Sequence, residues 1–308
     1  MKFKWPEELI FIPNGKAEQK KSNASMKGKT CIITGATSGV GLEVLKQFAK
    51  GEANLVMVCR SLEKAERIKR EVEEIYKVNI DVFIADFSCL QEVRKVAKSI
   101  LRNYSKIHVL INNIGMHSTT RKYTYEGIEQ VFAVNHLAPF LFTNLLLGRL
   151  KESAPARIID VNSEGHRFNG LNLDDINWEK RHYTGLRGYG ASKTAQLLTV
   201  WEFADRLKGT NVTINAVHPG DVRTNIGNNN GRLYSWFLHN ITWNFLKDPV
   251  IAGEAIYYLA ADDDMTNISG RFFNLTIDEL PAKHARNSES MKRIWDISME
   301  MTGLVEDK

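Results

Sequence analysis

Tyr189 and Lys193 lie four residues apart in the segment Tyr-Gly-Ala-Ser-Lys. On an α-helix, side chains at positions i and i+4 are neighbours, so this spacing would place a phenol beside an ammonium group. A tyrosine hydroxyl has an ordinary pKa of about 10, and a nearby cation favours its phenolate form. The pair is therefore a candidate proton-transfer site, although so short a motif also occurs by chance on solvated helix faces.

The elements that must position this pair follow a regular pattern. After a polar, lysine-rich leader, short apolar runs alternate with longer amphipathic segments, which is typical of βαβ units and a parallel sheet. The predicted strands are residues 30–34, 54–59, 79–85, 107–112, 157–162, 212–217 and 271–273, and the predicted helices include 42–50, 62–76, 90–104, 131–150 and 189–207. We predict an N-terminal extension over residues 1–26 and one α/β domain over residues 27–308. Its fold class is a doubly wound, Rossmann-type, mostly parallel seven-stranded sheet with helices on both faces.

Composition narrows the function classes. The chain has 308 residues, 43% of them hydrophobic and 25% charged, and a formal net charge of +5. This mild, scattered charge gives no reason to expect a nucleic-acid partner. Three widely spaced cysteines fit reduced core thiols, and the histidines lack paired metal spacing, so no metal site is predicted. No apolar run is long enough to span a bilayer, and we therefore predict a cytoplasmic protein without an integral membrane segment.

A glycine-rich turn follows the first predicted strand and opens a helix. Glycines allow a tight turn and close approach of a pyrophosphate, whose charge the free amides of a helix N-terminus attract. The alternative is a plain strand-to-helix turn, but strand, turn and helix occur in the required order. The residues predicted to bind a nucleotide here are Gly35, Thr37, Ser38, Gly39, Val40 and Gly41.

Two strand ends bear on the type of dinucleotide. The second strand ends in Cys59-Arg60-Ser61, where a fold of this type often offers an acidic residue to a ribose with free hydroxyls. Arg60 instead supplies a permanently charged planar fork that suits a 2′-phosphate, so NADP(H) is preferred and NAD(H) is possible. An ordinary surface arginine is the alternative. Asp86, at the end of the third strand, could reach an adenine amino group or cap the next helix.

Several ordered motifs together resemble the short-chain dehydrogenase/reductase family, and the resemblance covers nearly all of the chain after about Gly28. The glycine turn resembles the family's Thr-Gly-x-x-x-Gly-x-Gly, and residues 112–115 resemble its Asn-Asn-Ala-Gly segment. The family's catalytic tetrad matches Asn135, Ser163, Tyr189 and Lys193. Residues 59–60, 183–193 and 207–209 are similar to the retinol dehydrogenase-like branch, which includes relatives of the light-dependent protochlorophyllide reductase type.

The resemblance implies further cofactor contacts from the carboxyl ends of the strands. These residues are Asp86, Phe87, Asn113, Gly115, Pro219, Gly220, Val222 and Thr224, together with Tyr189 and Lys193 of the tetrad. Three departures from the family pattern stand out. Ile114 replaces a small alanine close to the expected cofactor, Asn162 precedes Ser163 where a serine is common, and 25 residues separate Ser163 from Tyr189.

Physical roles for the tetrad can be argued beside the resemblance. Tyr189 would give a proton to a carbonyl oxygen or take one from an alcohol, and Lys193 would lower the phenol pKa and hold the nicotinamide ribose. Ser163 would hydrogen-bond the substrate oxygen, unless it is only a cap at a strand end. Asn135 lies in an apolar helix, where its amide needs partners. The family reading makes it the anchor of a water-mediated proton path from Lys193.

The substrate is predicted from the aromatic residues at 234–245, which follow the Pro219-Gly220 turn. Such a segment would suit a lid over a bulky apolar aldehyde, ketone or alcohol, but a packing surface against the body or a second subunit of a homodimer is an equal alternative. The leading functional prediction is an NADP(H)-dependent carbonyl or alcohol oxidoreductase. The alternatives are a non-catalytic NADP(H)-binding scaffold and a reductase of double bonds.

Overall fold

A single sheet organises the protein. The computed structural model describes Trp5 and residues 9–168, 171–222 and 247–305. The strands are β1 (Thr30–Thr34), β2 (Asn54–Cys59), β3 (Ile80–Ile84), β4 (Val109–Asn112), β5 (Ala156–Val161), β6 (Val212–His218), β7 (Phe272–Asn274) and β8 (Ile277–Asp278). Their order is β3-β2-β1-β4-β5-β6-β7-β8. Because the first seven are parallel, their carboxyl ends meet at one edge of the sheet.

The prediction of seven strands was wrong by one. The two-residue β8 pairs antiparallel with β7, through Phe273 with Asp278 and Asn274 with Ile277. Two residues are too few to show the alternation of side chains by which a strand is recognised in a sequence. The doubly wound, mostly parallel α/β class is confirmed.

Helices cover both faces of the sheet. The helices of the described residues are α1 (Phe11–Lys16), α2 (Gly39–Lys50), α3 (Leu62–Tyr76), α4 (Leu90–Asn103), α5 (Gln130–Phe132), α6 (Ala138–Glu152), α7 (Gly185–Arg206), α8 (Val250–Ala261) and α9 (Ser288–Thr302), of which α1 belongs to the leader and buries no residue. One apolar core lies between the sheet and α4, α6, α7 and α9. The other lies between the sheet and α2, α3 and α8. Core residues therefore alternate in direction along each strand, as strand geometry requires.

The predicted helix over residues 131–150 has an irregular start. A π-helical turn, Ala133–Leu137, separates α5 from α6, and all five of its residues are buried. Such turns occur often at functional sites, because they shift the side chains that follow by one position. This turn carries Asn135.

By length and composition alone, the stretch Gln130–Glu152 is long and apolar enough to cross a membrane. The prediction that no apolar run reaches this length was therefore wrong for this helix. Of its most apolar window, 78% is buried inside the protein. A core helix of this kind passes the same test, because an apolar helix can be covered by protein as well as by lipid. Among the described residues, it is the one helix with this property.

The leader packs against the carboxyl-edge side of the molecule. The Asn14 amide donates to Glu279 Oε2 at 2.8 Å, and the Asn274 amide donates to the carbonyl of Phe11 at 3.0 Å. Two surface ion pairs, Lys20 with Asp264 and Lys21 with Glu254, add contacts to α8 and the turn after it. Residues 11–21 thus contact elements near the other end of the chain.

Candidate active site

Helix α7 brings Tyr189 to Ser163. The helix begins where the Thr184 hydroxyl accepts a hydrogen bond from the Arg187 amide, and its long buried face packs on the sheet. Ser163 lies two residues after the end of β5 and caps a short 3₁₀ turn through the Gly165 amide. Burial raises the pKa of the Tyr189 phenol, and a hydrogen bond with the Ser163 hydroxyl offsets part of that rise. Tyr189 and Ser163 therefore meet at the carboxyl edge, as the sequence predicts.

Lys193 lies one helical turn further along and is 3% exposed. Its Nζ is 5.9 Å from the centroid of the Tyr189 ring. The ammonium donates to the Val161 carbonyl at 2.8 Å and to Gln196 Oε1 at 3.2 Å. Burial dominates the pKa of Tyr189 in this arrangement, and the ammonium donates elsewhere, so the lowering of this pKa by Lys193 stays a prediction.

A buried carboxylate lies behind Lys193. Asp160, the residue before the Val161 carbonyl, is 6% exposed and accepts a hydrogen bond from the Asn112 amide at 2.8 Å. Burial lowers the pKa of Lys193 to about 8, and the charge of Asp160 offsets part of that decrease. Burial raises the pKa of Asp160 to about 6, against the Asn112 hydrogen bond and the charge of Lys193. Burial thus disfavours the charged form of each group, and the opposite charge of the other group favours it.

Asn135 joins two parts of the site. Its amide oxygen accepts from the Met116 amide at 2.8 Å, and its Nδ2 donates to the Met116 carbonyl and to Ser192 Oγ, each at 3.0 Å. Ser192 Oγ in turn donates to the Tyr189 carbonyl at 2.7 Å. The side chain of Asn135 therefore ties the loop after β4 to α7, with both amide hydrogens used by protein acceptors. The water-mediated proton path stays a prediction.

The glycine turn is held by side chains from β1 and β4. The Thr34 hydroxyl accepts from the amides of Asn113 and Ile114, and the Asn113 side-chain amide donates to the Thr34 and Gly35 carbonyls at 2.9 and 3.2 Å. Gly35 has φ +72°, which favours glycine, and a Cβ there would lie 3.0 Å from the Ile114 side chain. Ile114, an unexpected residue in this segment, thus packs on a position that needs glycine.

Gly41 permits a second close approach. A Cβ at this position would lie 2.4 Å from both Asn113 Nδ2 and the Gly35 carbonyl oxygen. The first turn of α2 follows Ser38, whose side chain makes no capping hydrogen bond. Its amides are left without partners inside the helix, as at every helix start. Together with partly buried Thr37, exposed Ser38 and buried Val40, this turn fits a dinucleotide pyrophosphate.

The remaining predicted cofactor residues differ in exposure, from the exposed Arg60 to the buried Phe87. Arg60 is exposed and, among the described residues, has no carboxylate within ion-pair distance, so its guanidinium is accessible to a phosphate. The partly buried Gly115 lies in the loop tied by Asn135. Asp86 accepts from the Ser88 amide at 2.8 Å and so closes a turn, whereas Cys89 occupies the cap position of α4. The Phe87 side chain is buried against Phe142 in the core, with ring centroids 5.6 Å apart, so its side chain is used for packing.

The turn after β6 begins as the sequence predicts. Gly220 has φ +82°, and the Val222 amide donates to its carbonyl at 2.9 Å. Pro219 is partly buried beside it. Thr224 and the aromatic segment 234–245 lie outside the described residues.

One charged cluster near Ser163 was missed by the sequence reading. The Arg167 side chain, 4% exposed, forms ion pairs with Glu164 and Glu279, whose side chains are 7% and 1% exposed. It also donates to the Leu280 carbonyl at 3.0 Å. The Asn14 amide of the leader donates to the same Glu279. A buried chain of polar contacts therefore runs from the leader to the segment that follows Ser163.

The comparisons with known proteins agree with this geometry. A family model described as short chain dehydrogenase matches residues 29–233. The chain belongs to this family. It is accordingly an NAD(P)-dependent oxidoreductase that acts on alcohol or carbonyl groups, and its retinol dehydrogenase-like character is confirmed.

Among curated relatives of this short-chain dehydrogenase, human retinol dehydrogenase 13 is 36% identical over 92% of the chain and 87% of the relative. Human retinol dehydrogenase 14 is also 36% identical, over 91% and 88%. A solved structure of an uncharacterized protein from Mycobacterium paratuberculosis has a TM-score of 0.75 at 27% identity, covering 92% and 97%. A short chain dehydrogenase from Escherichia coli, solved with NADPH, has a TM-score of 0.67 at 21% identity, covering 82% and 99%.

Proposed function

We propose that this enzyme is an NADP(H)-dependent reductase of bulky apolar aldehydes or ketones, with the reverse oxidation of alcohols at the same site. The observation that carries the proposal is the meeting of Tyr189, Ser163 and Lys193 at the carboxyl edge, beside the glycine turn. The names of the relatives, which are retinol dehydrogenases, support an apolar alcohol or aldehyde as the substrate class. The cytoplasmic location and the homodimer stay predictions.

The nicotinamide, when bound, supplies or accepts the hydride. Tyr189 holds the proton that the substrate oxygen receives, and its raised pKa keeps the phenol protonated at neutral pH, which suits reduction. Ser163 contacts the phenol and is placed to hydrogen-bond the same oxygen as charge develops on it. Lys193 contributes a positive charge 5.9 Å from the centroid of the tyrosine ring, and its donors would orient the ribose of the bound cofactor.

The preference for NADP(H) rests on Arg60. Its guanidinium is exposed at the carboxyl end of β2, and no carboxylate of the described residues neutralises it. A 2′-phosphate would therefore meet a cationic fork, whereas a ribose with free hydroxyls would find no carboxylate along the chain until Glu63, in the first turn of α3.

The proposed activity is tested by following NADPH consumption with purified enzyme across aldehydes, ketones, quinones and enones. We expect turnover of apolar carbonyl compounds and a loss of roughly 10²–10⁴-fold in kcat for Tyr189→Phe, because the variant lacks the transferred proton. Tyr125→Phe is the matched control, since Tyr125 is fully exposed. Equal turnover by wild type and Tyr189→Phe would refute the role of Tyr189.

Cofactor preference is tested separately. Replacing Arg60 with Asp should move the ratio of kcat/KM values from NADPH toward NADH, since a carboxylate repels a 2′-phosphate and accepts from ribose hydroxyls. Arg70→Asp, a change at another exposed arginine in α3, controls for the change in net charge. An unchanged ratio in the Arg60 variant contradicts the phosphate assignment.

A further inference from the structure

Lys193 is a buried charge whose direct contacts are neutral. Its ammonium donates to a backbone carbonyl and to the Gln196 amide oxygen, and neither acceptor carries charge. An ammonium group this deeply buried loses its proton readily unless an opposite charge lies close by. The arrangement therefore raises the question of what keeps Lys193 cationic.

Asp160 is the acidic group that meets this need. It lies on β5 immediately before Val161, whose carbonyl accepts from Lys193, and it is buried on the face of the sheet that α7 covers. Asn112 fixes its orientation, because a single amide nitrogen donates both to Asp160 Oδ1 and to Thr143 Oγ1, at 2.8 and 2.9 Å. The charge of Asp160 is also the one that raises the pKa of Lys193 against burial.

A second pair of residues fixes where the ammonium lies. Gln196 Oε1 accepts from Lys193 Nζ and also from Asn162 Nδ2, at 3.2 and 2.8 Å. Asn162 Nδ2 donates as well to the Lys193 carbonyl at 3.0 Å, while its Oδ1 accepts from the Ser163 amide at 2.8 Å. Asn162 thus connects Lys193 with the backbone of Ser163.

We propose that Asp160 is a positioning residue that serves as the buried counter-charge of Lys193 and keeps this lysine protonated in the working enzyme, while Gln196 and Asn162 set the position of its ammonium. The proposal rests on the proposed function only for the catalytic use of Lys193. Within the part of the chain that the structure describes, two other titratable groups face Lys193. His136, from the π-helical turn, has its pKa lowered to about 3 by burial and by Lys193, so it is neutral across the relevant range. Tyr189, on α7 itself, stays protonated because burial raises its pKa.

The test is Asp160→Asn, which removes the charge with almost no change in shape. In full-length enzyme with 13Cε-labelled lysine, the Lys193 resonance is assigned by its absence in Lys193→Met, and its titration midpoint is measured. We expect the midpoint to fall by about one pH unit or more, the scale on which the loss of a nearby buried opposite charge shifts a pKa. The pH at which kcat/KM for NADPH-dependent turnover declines on the alkaline side should fall by the same number of pH units.

Two further variants separate charge from packing. Thr143→Val removes the other acceptor of Asn112 without changing charge, so it should lower stability and leave the midpoint unchanged. Gln196→Glu places a carboxylate beside Lys193 Nζ, and in the Asp160→Asn background it should restore the wild-type midpoint. If Asp160→Asn alone does not fold, this double variant carries the test, because it keeps the buried charge.

Three results would overturn the proposal. The first is an unchanged Lys193 midpoint in Asp160→Asn, and the second is an equal shift of that midpoint in Thr143→Val. The third is a double variant whose Lys193 midpoint stays below that of the wild type. The resonance measurement does not depend on turnover. A wild-type enzyme that consumes no NADPH with any carbonyl compound would therefore refute the proposed function, while the Lys193 midpoint would still decide the role of Asp160.

Discussion

The two sides of the carboxyl edge of the sheet are held together by different kinds of interaction. On the side of β1 and β4, backbone groups and glycines form the turn, and the Thr34 hydroxyl and Asn113 amide hold it without a buried charge. On the side of β5 to β8, one buried arginine joins two buried carboxylates behind Ser163. The first side depends on space for the backbone and the second on charge balance. The two sides should therefore respond to opposite kinds of substitution.

The largest effect is expected at Arg167. Replacing it with Met leaves Glu164 and Glu279 buried without their cation, which destabilises a protein by about 3–5 kcal/mol. Arg60→Met, on the other side of the edge, changes an exposed arginine and should alter the free energy of unfolding by less than about 0.5 kcal/mol. Urea unfolding of both variants measures the difference. Similar free energies of unfolding for the two variants would contradict the view that only the side of β5 to β8 depends on a buried charge.

The next effect concerns space for the backbone. In Gly41→Ala the new Cβ would lie 2.4 Å from the Gly35 carbonyl oxygen, so the turn must shift. We expect the Kd for NADPH, measured by fluorescence titration, to rise at least about tenfold, or ~1.4 kcal/mol. Gly148→Ala is the matched control, because no atom lies within 4 Å of its new Cβ in α6. It should leave the Kd unchanged and stabilise the helix by about 1 kcal/mol. A Kd unchanged by Gly41→Ala would mean that the turn is not tightly fitted.

The smallest effect is a pH dependence of stability. Burial and the neighbouring Glu279 raise the pKa of Glu164 above its value in the unfolded chain, so the folded protein binds this proton more tightly. This tighter proton binding stabilises the folded protein fully below the pKa of Glu164 in the unfolded chain. The stabilisation is lost as the pH rises through the pKa of Glu164 in the folded protein. Between pH 5 and pH 8 the Tm of the wild type should therefore fall by about 2 °C more than that of Glu164→Gln, equivalent to about 1 kcal/mol.

Exposed Glu74→Gln is the control for the pH experiment, and it should follow the wild type. Parallel curves for wild type and Glu164→Gln would show that Glu164 keeps the same proton affinity in both states.

The same contrast explains what could be predicted from the sequence. The glycine turn, the strands around it and the order of the tetrad depend on local residue patterns, and β1, β2 and α3 have the predicted bounds. Their signals lie within a few residues of each other in the chain. The segment Ile158-Ile159-Asp160-Val161 also indicates a buried charge, because a carboxylate in a core strand needs a partner.

The charged cluster could not be found in this way. Arg167 and Glu279 are separated by 112 residues, and neither position has a pattern that marks it as buried. Long-range pairing of this kind follows from how the sheet brings β5 and β8 to the same edge, and the two-residue β8 was itself invisible in the sequence. The π-helical turn at Asn135 was missed because an apolar run looks the same whether or not one turn is widened.

The leader has a consequence for how the chain is assembled during synthesis. Asn14 meets Glu279 across 265 residues, and Gln19 meets Thr276 across 257. Translation adds roughly 5–20 residues per second, so the leader leaves the ribosome on the order of 10–50 s before its partners. The leader therefore docks only after residues 276–279 have emerged, and the contacts of Asn14 with the Glu279 cluster form no earlier than that.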